Sequence, residues 1–271
     1  MIPHDYITAW RGQVPWVEDS QVEQDLVISR ALVEIFSHPD LKDALAFRGG
    51  TALYKLHVKP AARYSEDIDL VQTEAGPAGT MMDALREVVD PWLGKPRWKQ
   101  TEGRLTFVYR YDSEDRPPIP LKLEVEINSR EHFAVFGFKR KPFMVESRWF
   151  SGGCEIQTYA LDELLGTKLR ALYQRKKGRD LFDLATALEL AEVRPERVIE
   201  AFSEYMKHDG HRVTRAQFEE NLSGKLADPL FKGDISPLLA NDFGWNLEEA
   251  ALLVSTRLIT LLPGGPWKGD G

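Results

Sequence analysis

FRGGTALYKLHVKPAARYSEDIDL, residues 47–70, is the stretch that decides the fold. Its end, Ser65-Glu66-Asp67-Ile68-Asp69-Leu70, alternates acidic and apolar side chains. A β-strand has a side-chain period of two, so Asp67 and Asp69 fall on one face while Ile68 and Leu70 enter a core. Carboxylates held this close repel unless they take up protons or bind cations, and hard oxygen ligands at this spacing suit Mg²⁺ or Mn²⁺. Upstream, Arg48-Gly49-Gly50-Thr51 follows the apolar Leu45, Ala46 and Phe47 and opens a short helical stretch over 52–56. Glycines at a strand-to-helix turn let backbone approach a ligand, and the first N–H groups of a helix attract anions. Together the halves describe a site for a metal-chelated nucleoside triphosphate. The backbone of Gly49 and Gly50 and the hydroxyl of Thr51 or Ser65 meet the phosphates, and the Asp pair meets the metal. Alone, Gly-Gly is usually a turn and Asp-x-Asp a solvated strand edge; joined in this order they are far more specific.

Before this stretch, Ser20-Gln21-Val22-Glu23 has capping-box spacing, and Val22, Leu26, Ile28, Ala31, Leu32, Ile35 and Phe36 recur at helical intervals. The spacing predicts a long helix, then a short one over 41–46. After it, Gly76-Pro77-Ala78-Gly79 breaks the chain, and 81–93 reads as a helix with Met82, Leu85, Val88 and Val89 inward. From 98 to 128 the period becomes two. Leu105, Phe107, Tyr109 and Tyr111 alternate with polar or smaller residues, and Leu121, Leu123, Val125 and Ile127 do so again beyond a turn rich in Pro117, Pro118 and Pro120. Two strands paired across that turn are expected. The second carries Glu124 and Glu126 on its polar face, where either can supply a third carboxylate or stand as a solvated edge residue.

Short strands are expected at 143–146 and 155–159, with Lys139-Arg140-Lys141 as a solvated turn. Residues 161–175 then form a strong helix with a stripe of Leu161, Leu164, Leu165, Leu169 and Leu172. Lys168 and Arg175 project from one side of it. A flexible ammonium suits a triphosphate tail or leaving pyrophosphate, and a guanidinium suits forked phosphate contact. Lys168, Arg170, Arg175, Lys176, Lys177 and Arg179 make the densest basic cluster of a chain whose formal charge is −7. It is the best candidate for an RNA or triphosphate surface, set against the plain reading that cations late in a helix favour its negative end. Asp180 and Asp183 open the next helix, where acids suit the N-terminus. Beyond Pro195, 196–207, 215–226 and 247–262 read as amphipathic helices without a catalytic constellation, and 263–271 as an unstructured tail.

Composition agrees with an ordinary globular chain: 271 residues, 43% hydrophobic and 28% charged, enough to bury a sizeable core. The negative balance argues against a generally basic nucleic-acid coat and leaves room for a local groove. One cysteine, Cys154, excludes an internal disulfide and fits a reducing cytosol. His208 and His211 lie in a polar, Gly-containing stretch that reads as a loop. No run approaches a membrane span and the first residues lack a signal peptide's order, so a cytoplasmic protein is expected.

The Gly-Gly turn followed by Asp-x-Asp resembles the nucleotidyltransferase superfamily signature. The fuller wording, FRGGTALYKL then RYSEDIDL, is similar to the AbiEii/AbiGii-type nucleotidyltransferase toxins of bacterial toxin–antitoxin and phage-defence systems. KLEVEINSRE at 122–131 and LDELLGTKLRALYQRKKGRDLFDL at 161–184 extend the likeness, which runs from about Gln21 to Leu190. The loop between Gly50 and Asp67 is longer than in short-loop members, which leaves Thr51 and Ser65 both open as the phosphate-binding hydroxyl. The resemblance implies an α+β fold: a nucleotidyltransferase-like mixed β-sheet core over 1–160, flanked by helices, and a helical region over 161–271 that completes the site and the acceptor cleft. It implies Mg²⁺- or Mn²⁺-dependent transfer of a nucleoside monophosphate from an NTP to RNA, at the 3′ end of a tRNA, blocking translation, with a cognate antitoxin as partner. Asp67, Asp69 and Glu126 become metal ligands, Glu126 being chosen because Glu-Ile-Asn-x-Arg-Glu begins there. Gly49, Gly50, Thr51, Ser65, Lys168, Arg175 and Asp180 attend the nucleotide, with Lys168 on leaving pyrophosphate and Asp180 orienting Arg175 or Lys168. A kinase or protein nucleotidyltransferase using the same donor site, and a non-catalytic nucleotide-binding module, are the alternatives.

Overall fold

In the computed structural model, which describes residues 2–240 and 243–269, the chain divides into two units, Met1–Tyr159 and Ala160–Gly271. The first unit runs α1 (His4–Arg11), α2 (Asp19–Ser37), β1 (Leu45–Arg48), α3 (Gly49–Leu56), β2 (Asp67–Gln72), α4 (Gly79–Leu93), β3 (Arg97–Thr101), β4 (Arg104–Asp112), β5 (Pro120–Asn128), β6 (Lys139–Glu146) and β7 (Ser151–Thr158). The strands form one seven-stranded sheet in the order β3-β4-β5-β2-β1-β7-β6. It is mixed: β2 is parallel to β5 and β1 to β7, and the remaining neighbours are antiparallel. The α+β architecture that the resemblance implies is the one found.

The alternation at the Asp pair holds. Ile68 and Leu70 are buried while Asp67 and Asp69 are half-exposed. On the apolar face Leu105, Phe107 and Tyr109 of β4 and Leu123, Val125 and Ile127 of β5 are buried, and α2 packs on β5, β6 and β7, with α4 on β4. Helix α4 buries Met81, Ala84, Leu85, Val89 and Leu93, so Met82 and Val88 stand at the margin of the buried face.

Four local expectations are corrected. The long helix starts at Asp19 rather than from a Ser20 cap, because the Glu18 N–H donates to the Gln21 side chain one turn on. Residues 41–46 do not form a helix. Leu45, Ala46 and Phe47 lie in β1, which is flanked by β2 and β7, and a strand buried on both faces reads as an unbroken apolar run. Lys139-Arg140-Lys141 is not a turn but the start of β6, an edge strand on which lysines discourage further pairing. A third strand, β3, lies beyond the expected hairpin, and its Arg-Trp-Lys-Gln-Thr sequence lacks an apolar face because every residue is exposed.

The second unit is helical: α5 (Leu161–Gln174), α6 (Gly178–Leu188), α7 (Pro195–His208), α8 (Arg215–Ala227), α9 (Pro229–Gly233) and α10 (Leu247–Arg257), with short 3₁₀ turns at Ser236–Leu238 and Ile259–Leu261. The Leu161, Leu164, Leu165, Leu169 and Leu172 stripe is buried throughout. The expected unstructured tail is tied to α8 over part of its length: Arg215 N–H donates to the Pro263 carbonyl at 2.9 Å and Trp267 N–H to Glu219 at 2.7 Å. Residues 270–271 of that tail lie outside the described residues. Among the described residues no helix is long and apolar enough to cross a membrane.

Candidate active site

Sheet register brings the acids of the first unit together. Asp69 stands opposite Glu126 and Asp67 opposite Glu124 across the β2–β5 pair, while Arg48 of β1 faces Asp69 from the other side. Paired positions on neighbouring strands share a face about 4.8 Å apart, so four carboxylates occupy one small patch.

Their partners differ. Glu124 accepts from Lys122 Nζ at 2.9 Å, and Glu126 lies 3.2 Å from Arg104 Nε. Asp67 Oδ1 is buried without a hydrogen-bond partner. Burial first, then the charges of Asp69, Glu66 and Glu124, push the Asp67 carboxyl up to about 7. Glu126 is also raised, chiefly by burial, with Arg104 working against the shift and Asp69 adding to it. Among the described residues no three Asp, Glu, His or Cys side chains close round a metal position. Like charges repel, and Glu126 turns to Arg104. The donor set nevertheless fits a hard divalent cation: oxygen ligands only, one of them buried with no other bond, and protonation favoured by mutual repulsion.

The glycine turn abuts these acids. Gly49 has φ +84°, and a Cβ there would lie 2.0 Å from Asp69 Oδ2. Backbone conformation and space both demand glycine. A Cβ at Gly50 would come within 2.4 Å of Arg63 Nη2 and 3.1 Å of Ser65 Oγ. Arg63, which the sequence did not single out, is 3% exposed; its Nη1 donates to the Tyr64 carbonyl at 2.8 Å and its guanidinium lies 5.1 Å from the Tyr54 ring centroid. The available signal was an arginine two residues before Ser65, on the loop returning to the Asp pair. Arg48 was missed likewise. Burial opposes its charge, but Glu131, Tyr159 and Asp69 outweigh that and raise its pKa, and Nη1 donates to Glu131 Oε2 at 2.6 Å.

The two candidate hydroxyls separate here. Thr51 is 2% exposed, and its Oγ1 donates to the Asp67 carbonyl at 2.5 Å, which fixes α3 to the start of β2. Ser65 Oγ lies 2.9 Å from Thr51 Oγ1 and is half-buried, so its hydroxyl can still rotate toward a ligand. A cavity of about 250 Å³ touches Thr51, Arg63 and Ser65 but not Asp67, Asp69, Glu124 or Glu126. On its far side Asp25 accepts from Trp10, Trp16 and Lys55 at 3.0, 3.0 and 2.7 Å. This network is fully bonded.

Lys168, Arg175 and Asp180 belong to the second unit. Lys168, 7% exposed, lies 2.7 Å from Asp183 and 3.5 Å from Asp180, and Arg175 grips Asp180 through Nε and Nη2 at 2.7 and 2.8 Å. Both acids are fully buried. The rest of the basic cluster is paired too: Arg170 with Asp209, Lys176 with Asp228, and Lys177 and Arg179 with Asp234. The cluster is therefore not a bare cationic surface.

The family model for the "Nucleotidyl transferase AbiEii toxin, Type IV TA system" matches residues 30–251. No curated protein matches the chain. Among solved structures, the chain is similar to MenT4, a nucleotidyltransferase toxin from Mycobacterium tuberculosis, at 17% identity and TM-score 0.67, covering 97% of this chain and 91% of that one. It is also similar to the JHP933 protein of Helicobacter pylori at 18% identity and TM-score 0.58, covering 91% and 93%. At such identities the likeness shows the fold.

Proposed function

Because the chain belongs to the AbiEii family of nucleotidyl transferase toxins, we propose that it moves a nucleoside monophosphate from an NTP to an RNA acceptor, the 3′ end of a tRNA, and so blocks translation in the cytoplasm until its antitoxin intervenes. The observation that carries this reading is the buried, unbonded Asp67 Oδ1, set among Asp69, Glu124 and Glu126 beside the Gly49 turn. In it Asp67, Asp69 and Glu126 would hold Mg²⁺ or Mn²⁺, which when bound would neutralise phosphate charge and lower the pKa of an attacking hydroxyl. Backbone N–H groups at Gly49 and Gly50 and the rotatable Ser65 hydroxyl take the β- and γ-phosphates, with the Arg63 guanidinium beside Gly50 balancing their charge. Thr51 holds the turn against β2. A Glu126 carboxylate oxygen accepts the proton of the acceptor hydroxyl as that oxygen attacks the α-phosphorus.

Incubation with total tRNA and each α-³²P-labelled NTP in turn tests the reading. Label should enter RNase-sensitive material and should disappear with Asp69→Asn. Label in RNase-resistant protein would favour a protein nucleotidyltransferase, label delivered only from γ-labelled NTP a kinase, and absence of NTP binding a non-catalytic module.

A further inference from the structure

The sheet order separates the two sides of the carboxylate patch. On one side of β2 lie β1 and the glycine turn; on the other lie β5, β4 and β3 in succession. Register continues the acid rows straight across that second side: Asp69, Glu126, Thr106 and Lys99 form one row, and Asp67, Glu124, Val108 and Arg97 the next. Both rows pass from acid through neutral side chains to a cation. Three strand spacings put Lys99 and Arg97 about 14 Å from the Asp pair, on the same face of the sheet. Arg110 shares that face next to the Val108 position.

These cations differ from those of the second unit. Among the described residues Arg97, Lys99 and Arg110 are in no ion pair, whereas every basic residue from Lys168 to Arg179 named above has an acidic partner. All three are exposed, and β3 is an edge strand exposed at each of its residues. The one acid in the β3–β4 turn, Glu102, is paired with Arg130 at 2.8 Å. In a chain of formal charge −7, an unneutralised cationic row joined to an acid patch fits a polyanion whose end reaches the acids.

We propose that the β3–β4 face is the track for the acceptor RNA, with Arg97, Lys99 and Arg110 on its backbone phosphates and its terminal hydroxyl delivered to Asp69 and Glu126. This rests on the transferase reading above and adds the route of the acceptor. The arrangement suits in-line transfer. The acceptor oxygen forms the new bond to the α-phosphorus from the β5 side, its proton passing to Glu126. The bond to pyrophosphate breaks toward the glycine turn, the leaving group taking the electron pair.

The test is direct binding of a short fluorescein-labelled single-stranded RNA by anisotropy, without turnover. Arg97→Glu/Lys99→Glu should weaken binding roughly ten-fold or more at low salt, and Arg97→Gln/Lys99→Gln should lower the slope of log K against log[salt] by about 1.4, near 0.7 for each lost phosphate contact. Lys176→Gln/Lys177→Gln should change neither quantity. Calorimetry with ATP and circular dichroism, both unchanged in the β3 variants, show that donor site and fold survive. Equal RNA affinity in wild type and β3 variants overturns the track, as does poly-glutamate binding this face as tightly as RNA. A wild type that binds an NTP but no RNA overturns the track and leaves the donor site standing; one that binds neither RNA nor any of the four NTPs sinks the transferase reading itself.

Discussion

Asp67 and Asp180 are both carboxylates drawn out of solvent, and the chain treats them oppositely. Asp180 is fully buried and answered by a two-pronged Arg175 and by Lys168, with Asp183 sharing the ammonium. Asp67 feels the charges of Asp69, Glu66 and Glu124 against that of Lys122, and has a buried oxygen bonded to nothing. Buried charge is costly, and a fold that only needs stability completes the pairing or uses apolar residues instead. A set of acids kept together without full compensation is under tension that a proton or cation relieves, which is the signature of a site arranged for chemistry. The buried acids of α6 are each answered by a cation, whereas Asp67 keeps one buried oxygen unbonded among neighbouring acids.

The sharpest way to break this contrast is to remove one charge from each group. If Asp69 holds the metal as proposed, Asp69→Asn should reduce nucleotide transfer by at least about 10³-fold. Its melting temperature should change little, because the repulsion from Asp67 that the substitution removes is offset by the attraction it takes from Arg48. Lys168→Met should lower stability. It leaves Asp180 and Asp183 undercompensated in a buried place, a change that typically costs about 3–5 kcal/mol, read from urea unfolding. If Lys168→Met kept full stability yet lost transfer, Lys168 would return to the nucleotide and the division between scaffold and working acids would fail.

How far the sequence revealed these groups depends on how local their partners are. The acid–apolar alternation through Asp69 and the Glu124/Glu126 pattern are statements about neighbouring residues, so strand and face could be read directly. The Gly-Gly turn was legible for the same reason. Strand β1 was not, because Leu45, Ala46 and Phe47 are apolar on both faces and so carry no period. The pairing of the basic cluster was hidden because the acids that neutralise it, Asp209, Asp228 and Asp234 among them, arrive from just after α7, between α8 and α9, and just after α9. Sequence displays the cations side by side and hides their partners. Conversely, Arg97 and Lys99 looked like nothing in particular until register placed them at the ends of the acid rows. Arg63 became visible only through the space it fills beside Gly50.

The smallest expected effect is also the one that probes the tension itself. With the Asp67 carboxyl raised from its ordinary 3.8 to about 7, the folded state holds a proton that the unfolded chain has already released. Its contribution to stability is therefore complete below about pH 4 and is lost as pH rises through 7. Measured in EDTA, the melting temperatures of wild type and Asp67→Asn should converge toward pH 4 and separate toward pH 8, with the variant the more stable at the high end. Burial is the larger cause of the shift and Asp69 the next, so Asp69→Asn should narrow that separation without abolishing it. The same proton competes with a cation for Asp67, so Mn²⁺ affinity should fall up to about ten-fold for each pH unit below 7. A wild-type protein whose stability and Mn²⁺ affinity were both flat from pH 5 to 8 would mean that Asp67 is ionised at ease. The acids of the first unit would then be compensated as fully as those of the second.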